Sequence, residues 1–114
     1  MYPKRRLRKL MTQGDYAEAV DYGYSLEPKF SGDADFNFIM GSLFYILADA
    51  PNAIKYFDAA LKIDSKDIET WMLKANVHLH LKEKEEVLEC CNRILDIESE
   101  HAGAQELLEK LRDV

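Results

Sequence analysis

The sequence predicts an all-α protein built from repeated pairs of antiparallel helices, about seven helices in all. When the 114-residue chain is shifted against itself by 34 positions, residues of the same kind coincide along most of its length. The segment "GDYAEAVDYG" at 14–23 falls on "ADAPNAIKYF" at 48–57 and then on "KEKEEVLECC" at 82–91. A repeat of this length is typical of helix pairs that stack in an array and bury one another's apolar faces.

The first helix pair is predicted around the turn in "GDYAEAV", residues 14–20. Gly14 is expected to end one helix, since glycine readily takes the left-handed conformation found at helix C-termini. Asp15 and Glu18 have the spacing of a capping box that would start the next helix, and Ala19 begins its buried face. The later segment "EPKFSGD" contains Pro28 and is expected to be a loose connection.

The second repeat begins with "ADFNFIMGSLFYIL" at 34–47, which is apolar almost all round. This segment is expected to be buried on several sides or to expose an apolar wall. Asp49 then serves as N-cap, with Pro51 in the first turn of the following helix. The apolar stripe of that helix recurs in the third repeat. In the second repeat the stripe consists of Ala53, Ile54, Phe57, Ala60 and Leu61, and in the third repeat the matching residues are Val87, Leu88, Cys91, Ile94 and Leu95. A last helix at 102–113 has a charged side suited to closing an array.

These positions carry a resemblance to the tetratricopeptide repeat family. A unit of 34 residues has its glycine at the eighth position (Gly41), an aromatic near the fourth (Trp71) and small residues at the twentieth (Ala19 and Ala53). The aromatic and alanine expected at the twenty-fourth and twenty-seventh positions are Phe57 and Ala60. The resemblance implies one domain over 1–114, a right-handed α-solenoid with repeats at about 1–33, 34–67 and 68–101 and a capping helix at about 102–113.

The resemblance also implies a concave groove lined by the first helix of each repeat. The residues expected to line this groove are Phe38, Ser42, Tyr45, Ile46, Glu69, Met72, Asn76, Leu79 and His80. Spacings of three and four place each helix's set on one face, independently of the family. Such a groove would bind an amphipathic helix or an extended apolar peptide, with methionine supplying adaptability. The alternative is that the apolar members only pack between neighbouring first helices.

The family's carboxylate clamp, which holds the C-terminal tails of chaperones, would fall on Lys4, Arg8, Ile39, Glu69 and Leu73. Only Lys4 has the expected chemistry, and Glu69 would repel the carboxylate of such a ligand. Binding of chaperone tails is therefore not expected. The partner is expected to be another protein or peptide.

Charge is distributed unevenly along the chain. The first ten residues hold five bases and no acid: Lys4, Arg5, Arg6, Arg8 and Lys9. The other residues hold 10 of the 15 bases and all 21 acids, which gives −11 within a net charge of −6. This basic end is interpreted as a solvated helix face, or as a surface for an acidic partner or for head-to-tail self-association. Self-association, giving a homo-oligomer, is the alternative function. Nucleic acid is not expected, because no basic stripe recurs in later units.

Catalysis has no support in the sequence, so the protein is expected not to be an enzyme and to use no cofactor or metal. No phosphate loop or nucleophile elbow is present. His78 and His80 are two positions apart and point to nearly opposite sides of a helix. Cys90 and Cys91 are expected to be packing residues. No apolar run is long enough for a membrane span or a signal peptide, so a cytoplasmic location is expected.

Overall fold

The chain folds into two compact helical units in the computed structural model, which describes residues 2–112. The first unit extends to Asp64 and contains α1 (Pro3–Thr12), α2 (Tyr16–Phe30), α3 (Ala34–Ile46) and α4 (Ala50–Ile63). The second begins at Ser65 and contains α5 (Ile68–His80), α6 (Lys84–Ile97) and α7 (Ala102–Arg112). Residues 2–112 thus contain seven helices and no strand, which confirms the predicted all-α class. Residue 113, the predicted end of the last helix, lies outside the described range.

Helix α3 forms the centre of the first unit's core. Seven of its 13 residues are buried: Phe36, Asn37, Ile39, Met40, Gly41, Leu43 and Phe44. It packs against α1, α2 and α4. The expectation that this apolar helix is buried on several sides is therefore confirmed, because three neighbouring helices cover it.

The second unit is packed around α6. Its buried residues are Val87, Cys90, Cys91 and Ile94, and α5 adds buried residues that include Trp71 and Ala75. The two cysteines therefore lie in the core, as expected. Burial raises the pKa of the Cys91 thiol, which disfavours the reactive thiolate. Helix α7 packs against α6 through Ala104, Leu107 and Leu111 and leaves its charged residues Glu106, Glu109, Lys110 and Arg112 exposed.

The turn inside each helix pair has the same backbone conformation. Gly14, Ala48 and Lys82 are 34 residues apart and have φ angles of 79°, 58° and 60°. At Gly14 the N–H donates to the Met11 carbonyl at 3.0 Å, and the next N–H, of Asp15, donates to the Leu10 carbonyl at 2.9 Å. The same two bonds recur after α3 and α5, from Ala48 to Tyr45, Asp49 to Phe44, Lys82 to Leu79 and Glu83 to His78. The prediction that Gly14 ends a helix is confirmed.

This turn geometry predicts an unusual gain from glycine. A non-glycine residue in the left-handed region is strained by roughly 1 kcal/mol, and replacement by glycine relieves this strain. Glycine also increases the conformational entropy of the unfolded chain, which offsets part of the gain in stability. We expect Ala48→Gly to raise the free energy of unfolding by about 0.5 kcal/mol, and Lys82→Gly to act in the same direction. Urea denaturation followed by circular dichroism measures the change.

Gly14→Ala is the matched reverse substitution. A Cβ at Gly14 would meet no atom within 4 Å, so the variant isolates the backbone strain from steric contact. We expect it to lower the free energy of unfolding by about 0.5 kcal/mol, because the entropy lost from the unfolded chain offsets part of the strain. A loss of stability in Ala48→Gly, which is the usual effect of glycine, would contradict the explanation.

Two details of the predicted first helix pair are wrong. Asp15 is the N-cap of α2, but its side chain accepts no capping hydrogen bond; its ψ is 62°, against 118° at Asp33, whose carboxylate does cap α3. The segment with Pro28 is not a loose connection, because α2 continues through it to Phe30. Pro28 removes the N–H that would bond to the carbonyl of Tyr24, and Tyr24 itself lies at the surface.

A side-chain hydrogen bond ties the start of three helices to the preceding turn. In each case the donor lies six residues after a serine whose carbonyl it contacts: Asn37 Nδ2 to Ser31 at 2.9 Å, Trp71 Nε1 to Ser65 at 2.9 Å and Gln105 Nε2 to Ser99 at 3.4 Å. The three donors are 34 residues apart. Different side chains therefore make the same bond at the same place in the repeat.

Candidate functional site

The predicted binding residues of the first unit lie on one face of α3. Phe38, Ser42 and Tyr45 are half-buried, and Ile46 is 50% exposed. Phe38 is anchored towards the core, since its ring centroid is 6.3 Å from that of Phe57. Leu47, which directly follows Ile46, is 41% exposed. The last turn of α3 therefore presents apolar side chains to solvent. Leu47 was not among the residues that the sequence singled out.

The Oγ atom of Ser42 adds a polar group to this face. It is buried and has no hydrogen-bond partner within the described part of the chain. A hydroxyl buried between apolar neighbours without a partner is destabilising. Ser42 therefore contributes no exposed polar contact on the face as it stands.

The predicted residues of the second unit lie on one face of α5. Met72, Asn76 and Leu79 are half-buried, while Glu69 and His80 are exposed. The terminal methyl of Met72 lies near Gly103, 3.2 Å from the position that a Cβ there would occupy. The α5 face is therefore a mixed surface, with an acid at its start, apolar residues along its length and an imidazole at its end.

The predicted basic end is partly neutralised within the first unit. Lys4 Nζ lies 2.9 Å from an Asp33 oxygen and 3.3 Å from an Asp35 oxygen, and Arg8 contacts Asp35 at 2.7 Å. The hydrogen bond between Lys4 and Asp33 raises the pKa of the lysine and lowers that of the aspartate. These aspartates are 27 and 29 residues from their partners, so no local pattern in the sequence signals the pairing.

The other three bases of this end remain at the surface. Arg5, Arg6 and Lys9 are exposed. The guanidinium of Arg6 lies 4.8 Å from the ring centroid of Tyr22, and that of Arg5 lies 6.0 Å from the centroid of Tyr2. Two of the three therefore stack on aromatic rings, an arrangement that leaves their charge in solvent.

At the positions of the carboxylate clamp, the two bases already contact aspartates and the other three residues are not basic. Lys4 and Arg8 already contact aspartates. Ile39 is 2% exposed and has no polar group to offer. Glu69 is exposed with a negative charge, and Leu73 is apolar. The expectation that an acidic tail is not bound at these positions stays a prediction.

The candidate catalytic and metal-binding groups are separated by the fold. His78 is buried and its Nδ1 lies 2.8 Å from Glu83 Oε1, whereas His80 is exposed. Between residues 2 and 112, no group of three His, Cys, Asp or Glu side chains is placed to hold a metal ion. No helix in the same range has the length and apolar character of a membrane span.

Comparison with solved structures finds similar folds over nearly the whole chain. The first TPR of Spaghetti (RPAP3), bound to the HSP90 peptide SRMEEVD, has a TM-score of 0.86 at 19% identity, covering 97% of this chain and 88% of that one. The first TPR domain of human RPAP3 has a TM-score of 0.82 at 19% identity, with 97% and 87% covered. The second TPR domain of human RPAP3, in complex with the HSP70 peptide SGPTIEEVD, has a TM-score of 0.84 at 15% identity, with 96% and 92% covered.

Comparison with family models identifies the repeat itself. A search of curated proteins finds no significant match. The tetratricopeptide repeat model matches residues 34–67 and 68–101, which together make up more than half of the chain. The helical-repeat fold and the resemblance inferred from the sequence are both confirmed by these matches. The chain belongs to the tetratricopeptide repeat family.

Proposed function

We propose that the chain is a non-enzymatic protein-interaction module that binds a peptide or helix of another protein, with one candidate face on α3 in the first unit and another on α5 in the second. The observation that carries the proposal is the apolar C-terminal end of α3, where Ile46 and the following Leu47 are exposed beside a half-buried Tyr45. The peptides bound to two of the similar structures add support of a general kind, since they are ligands of this fold. We further propose one domain with repeats at about 1–33, 34–67 and 68–101 and a capping helix at 102–113. A cytoplasmic location and the absence of nucleic-acid binding stay predictions.

The apolar end of α3 is suited to a partner because its neighbours do not bury it. Helix α3 already packs against α1, α2 and α4, yet Ile46 keeps half of its surface in water. Complete burial of an isoleucine or leucine side chain contributes about 1.5–3 kcal/mol. Covering the exposed parts of Ile46 and Leu47 would supply a useful share of a binding free energy.

Self-association through the basic end and the repeat ends is the second candidate. The ion pairs of Lys4 and Arg8 reduce the charge available for it, and Arg5, Arg6 and Lys9 remain exposed. Light scattering at several concentrations and salt levels distinguishes the two candidates. A 13.2 kDa monomer throughout supports the peptide-binding proposal, and a species that salt dissociates supports self-association.

The direct test is a pair of surface variants with matched chemistry. Peptides are first selected on the wild-type chain from a random display library, and their affinities are measured by fluorescence anisotropy. We expect Tyr45→Ser with Ile46→Ser to weaken binding of these peptides by about tenfold or more, because two apolar anchors are lost.

The control variant is Ile63→Ser with Ile97→Ser. These isoleucines end α4 and α6 and are 48% and 37% exposed, so their replacement removes similar apolar surface from outside the proposed faces. We expect the control to bind as the wild type does, and both variants to keep the helical circular dichroism spectrum. Equal binding by the Tyr45 and Ile46 variant would reject the proposed faces.

A further inference from the structure

We propose that the outer face of α1, formed by Arg5, Arg6 and Lys9, is a separate docking surface that binds a short acidic segment of another protein. The segment presents two carboxylates about 6 Å apart, the spacing of acids four positions apart in a helix or two apart in a strand. The outer face lies within the first unit and shares no residue with the candidate faces of α3 and α5. The inference therefore goes beyond the proposed function.

The fold divides the five bases of α1 into two sets. Lys4 and Arg8 contact Asp33 and Asp35 at distances of 2.7–3.3 Å, so these two positive charges are neutralised within the first unit. The three bases of the outer face are exposed and form no ion pair with any residue from 2 to 112. One side of α1 is thus satisfied by the fold, and the other side keeps its charge for a ligand.

The bases of the outer face are close enough to act on one ligand. Arg5 and Lys9 are four positions apart, which separates them by about 6 Å along the helix axis, and Arg6 lies beside them. The guanidinium of Arg5 lies 6.0 Å from the ring centroid of Tyr2, and that of Arg6 lies 4.8 Å from the centroid of Tyr22. Stacking restricts both side chains before a ligand arrives, so less conformational entropy is lost when a carboxylate binds.

The charges of the outer face are unfavourable for the folded chain on its own. Arg5 and Lys9 carry like charges at the spacing of helix neighbours, and such pairs repel each other. Helix α1 also has no acid in its first turn, although the helix dipole favours negative charge there. A carboxylate bound to the outer face relieves the repulsion, whereas a cationic ligand increases it. The electrostatics of the face therefore select an anion.

A hollow beside Arg5 offers a place for one apolar side chain of the same ligand. Its volume is about 300 Å³, and it is lined by Tyr2, Pro3, Lys4, Arg5, Arg8 and Phe30. The ring of Phe30 stacks on that of the buried Phe36 with centroids 6.0 Å apart, so this wall is fixed to the core. An acidic segment with one apolar residue matches the hollow and the charges together.

The size of the outer face favours a short segment over an extended polyanion. Helix α1 has 10 residues and is about 15 Å long. Residues 11–64 of the same unit hold nine acids and three bases, so a membrane surface or a nucleic acid that extends beyond α1 meets an excess of negative charge. The apolar residues Leu7 and Leu10 are buried and are not available for insertion into lipid. A short acidic segment avoids both obstacles.

The test removes the charge of the outer face without changing side-chain size greatly. Short peptides are selected on the wild-type chain from a random display library at low salt, and their affinities are measured by fluorescence anisotropy. The outer-face variant is Arg5→Gln with Arg6→Gln and Lys9→Gln. We expect acidic peptides among those selected, and we expect them to bind this variant about tenfold more weakly or worse, with a difference that shrinks as salt is added.

The control variant removes the same number of exposed bases from the rest of the first unit. It is Lys29→Gln with Lys55→Gln and Lys62→Gln. Two of these bases also stack on rings, since the ammonium of Lys29 lies 5.7 Å from the centroid of Phe30 and that of Lys55 lies 5.5 Å from the centroid of Tyr56. The two variants therefore have equal net charge. We expect the control to bind the acidic peptides nearly as the wild type does.

A charge-preserving variant distinguishes binding from a structural role of the bases. Arg5→Lys with Arg6→Lys keeps both positive charges, so it should keep more affinity for the acidic peptides than the outer-face variant does. Both variants should keep the helical circular dichroism spectrum and a urea midpoint close to that of the wild type. Weak binding that follows a lowered midpoint, rather than the charge, would overturn the inference.

The remaining outcomes concern the occupant of the outer face. The assignment is overturned if no selected peptide depends on the outer face, or if the dependent peptides are not acidic. It is also overturned if phosphatidylcholine vesicles containing phosphatidylserine, or a single-stranded oligonucleotide, bind this face more tightly than the peptides do. A rise in mass with concentration that the outer-face variant abolishes would identify a second copy of the chain as the occupant instead.

Failure of this inference and failure of the proposed function are separable. The Tyr45→Ser, Ile46→Ser variant retains the outer face and should bind the acidic peptides as the wild type does. Peptides that depend on Tyr45 and Ile46 should in turn be unaffected by the outer-face variant. Loss of the acidic peptides in both variants would contradict a separate surface on α1.

Discussion

Gly41→Ala is expected to destabilise the protein by about 2 kcal/mol, although alanine is the better helix former. The added Cβ would lie 2.5 Å from Cδ1 and 2.6 Å from Cε1 of Phe57, whose side chain is fully buried. A rigid ring in a packed core cannot move aside, and overpacking of this kind costs roughly 1–3 kcal/mol or more. Helix propensity returns only about 1 kcal/mol. Urea denaturation followed at 222 nm measures the loss.

Gly23→Ala provides the matched control on α2. Its Cβ would also be crowded, but by Sδ and Cε at the flexible end of Met40 rather than by a ring. An unbranched thioether can turn to another rotamer at modest cost. We expect Gly23→Ala to stay within about 1 kcal/mol of the wild type, since the propensity gain offsets the adjustment. A Gly41→Ala variant as stable as Gly23→Ala would show that Phe57 does not enforce the close approach of α3 and α4.

Asn37→Ala is expected to cost about 2 kcal/mol by removing the hydrogen bonds that fix the start of α3. The Asn37 side chain is 3% exposed and donates to the carbonyls of Ser31 at 2.9 Å and Asp33 at 3.1 Å. Alanine would leave both carbonyls without this donor in a part-buried site, where an unmade bond costs roughly 1–3 kcal/mol. The loss should appear as a lower urea midpoint with an unchanged m-value.

Gln105→Ala removes the equivalent donor from the second unit, where the site is open. Gln105 is exposed and its bond to the Ser99 carbonyl is 3.4 Å long. Water can replace a bond of this kind, so we expect a change within about 0.5 kcal/mol. Similar losses in the two variants would mean that burial does not determine the strength of this contact.

The sequence predicts the periodic parts of the fold well because their causes are local. The length of the repeat, the helix stripes and the turn at Gly14 follow from residues within a few positions of one another. The cap at Asp49 is likewise correct, since its carboxylate accepts the N–H of Asn52. Each of these features depends on backbone chemistry that a short segment carries with it.

The errors and omissions come from contacts between distant segments or from competing backbone bonds. The pairing of Lys4 with Asp33 joins residues 29 apart. Helix α2 continues past Pro28 to Phe30, although the proline suggests an end of the helix to a reader of the sequence. The sequence does not reveal the hydrogen bond made by Asn37 either. Asn37 aligns with Trp71, and the two side chains have only an N–H donor in common.

The sequence predicts which residues of the candidate site share a helix face, but not which of their side chains are buried and which are exposed. Helical spacing places the nine proposed residues on two faces, with Ile46 at the surface. It does not reveal that Phe38 packs against Phe57 or that Ser42 Oγ is buried. Nor does it identify Leu47, since exposure after a helix end depends on the direction of the turn at Ala48.

The bond from Asn37, Trp71 and Gln105 to a serine carbonyl implies that this chain tolerates replacements better than changes of length. Amide and indole side chains all reach the carbonyl, since each carries an N–H donor. The number of residues between donor and acceptor leaves much less freedom. One inserted residue between Ser31 and Asn37 would rotate the donor by about 100° around α3 and turn it away from the carbonyl. We therefore expect substitutions that keep an N–H donor at these positions to be tolerated, and insertions or deletions between donor and acceptor to be destabilising.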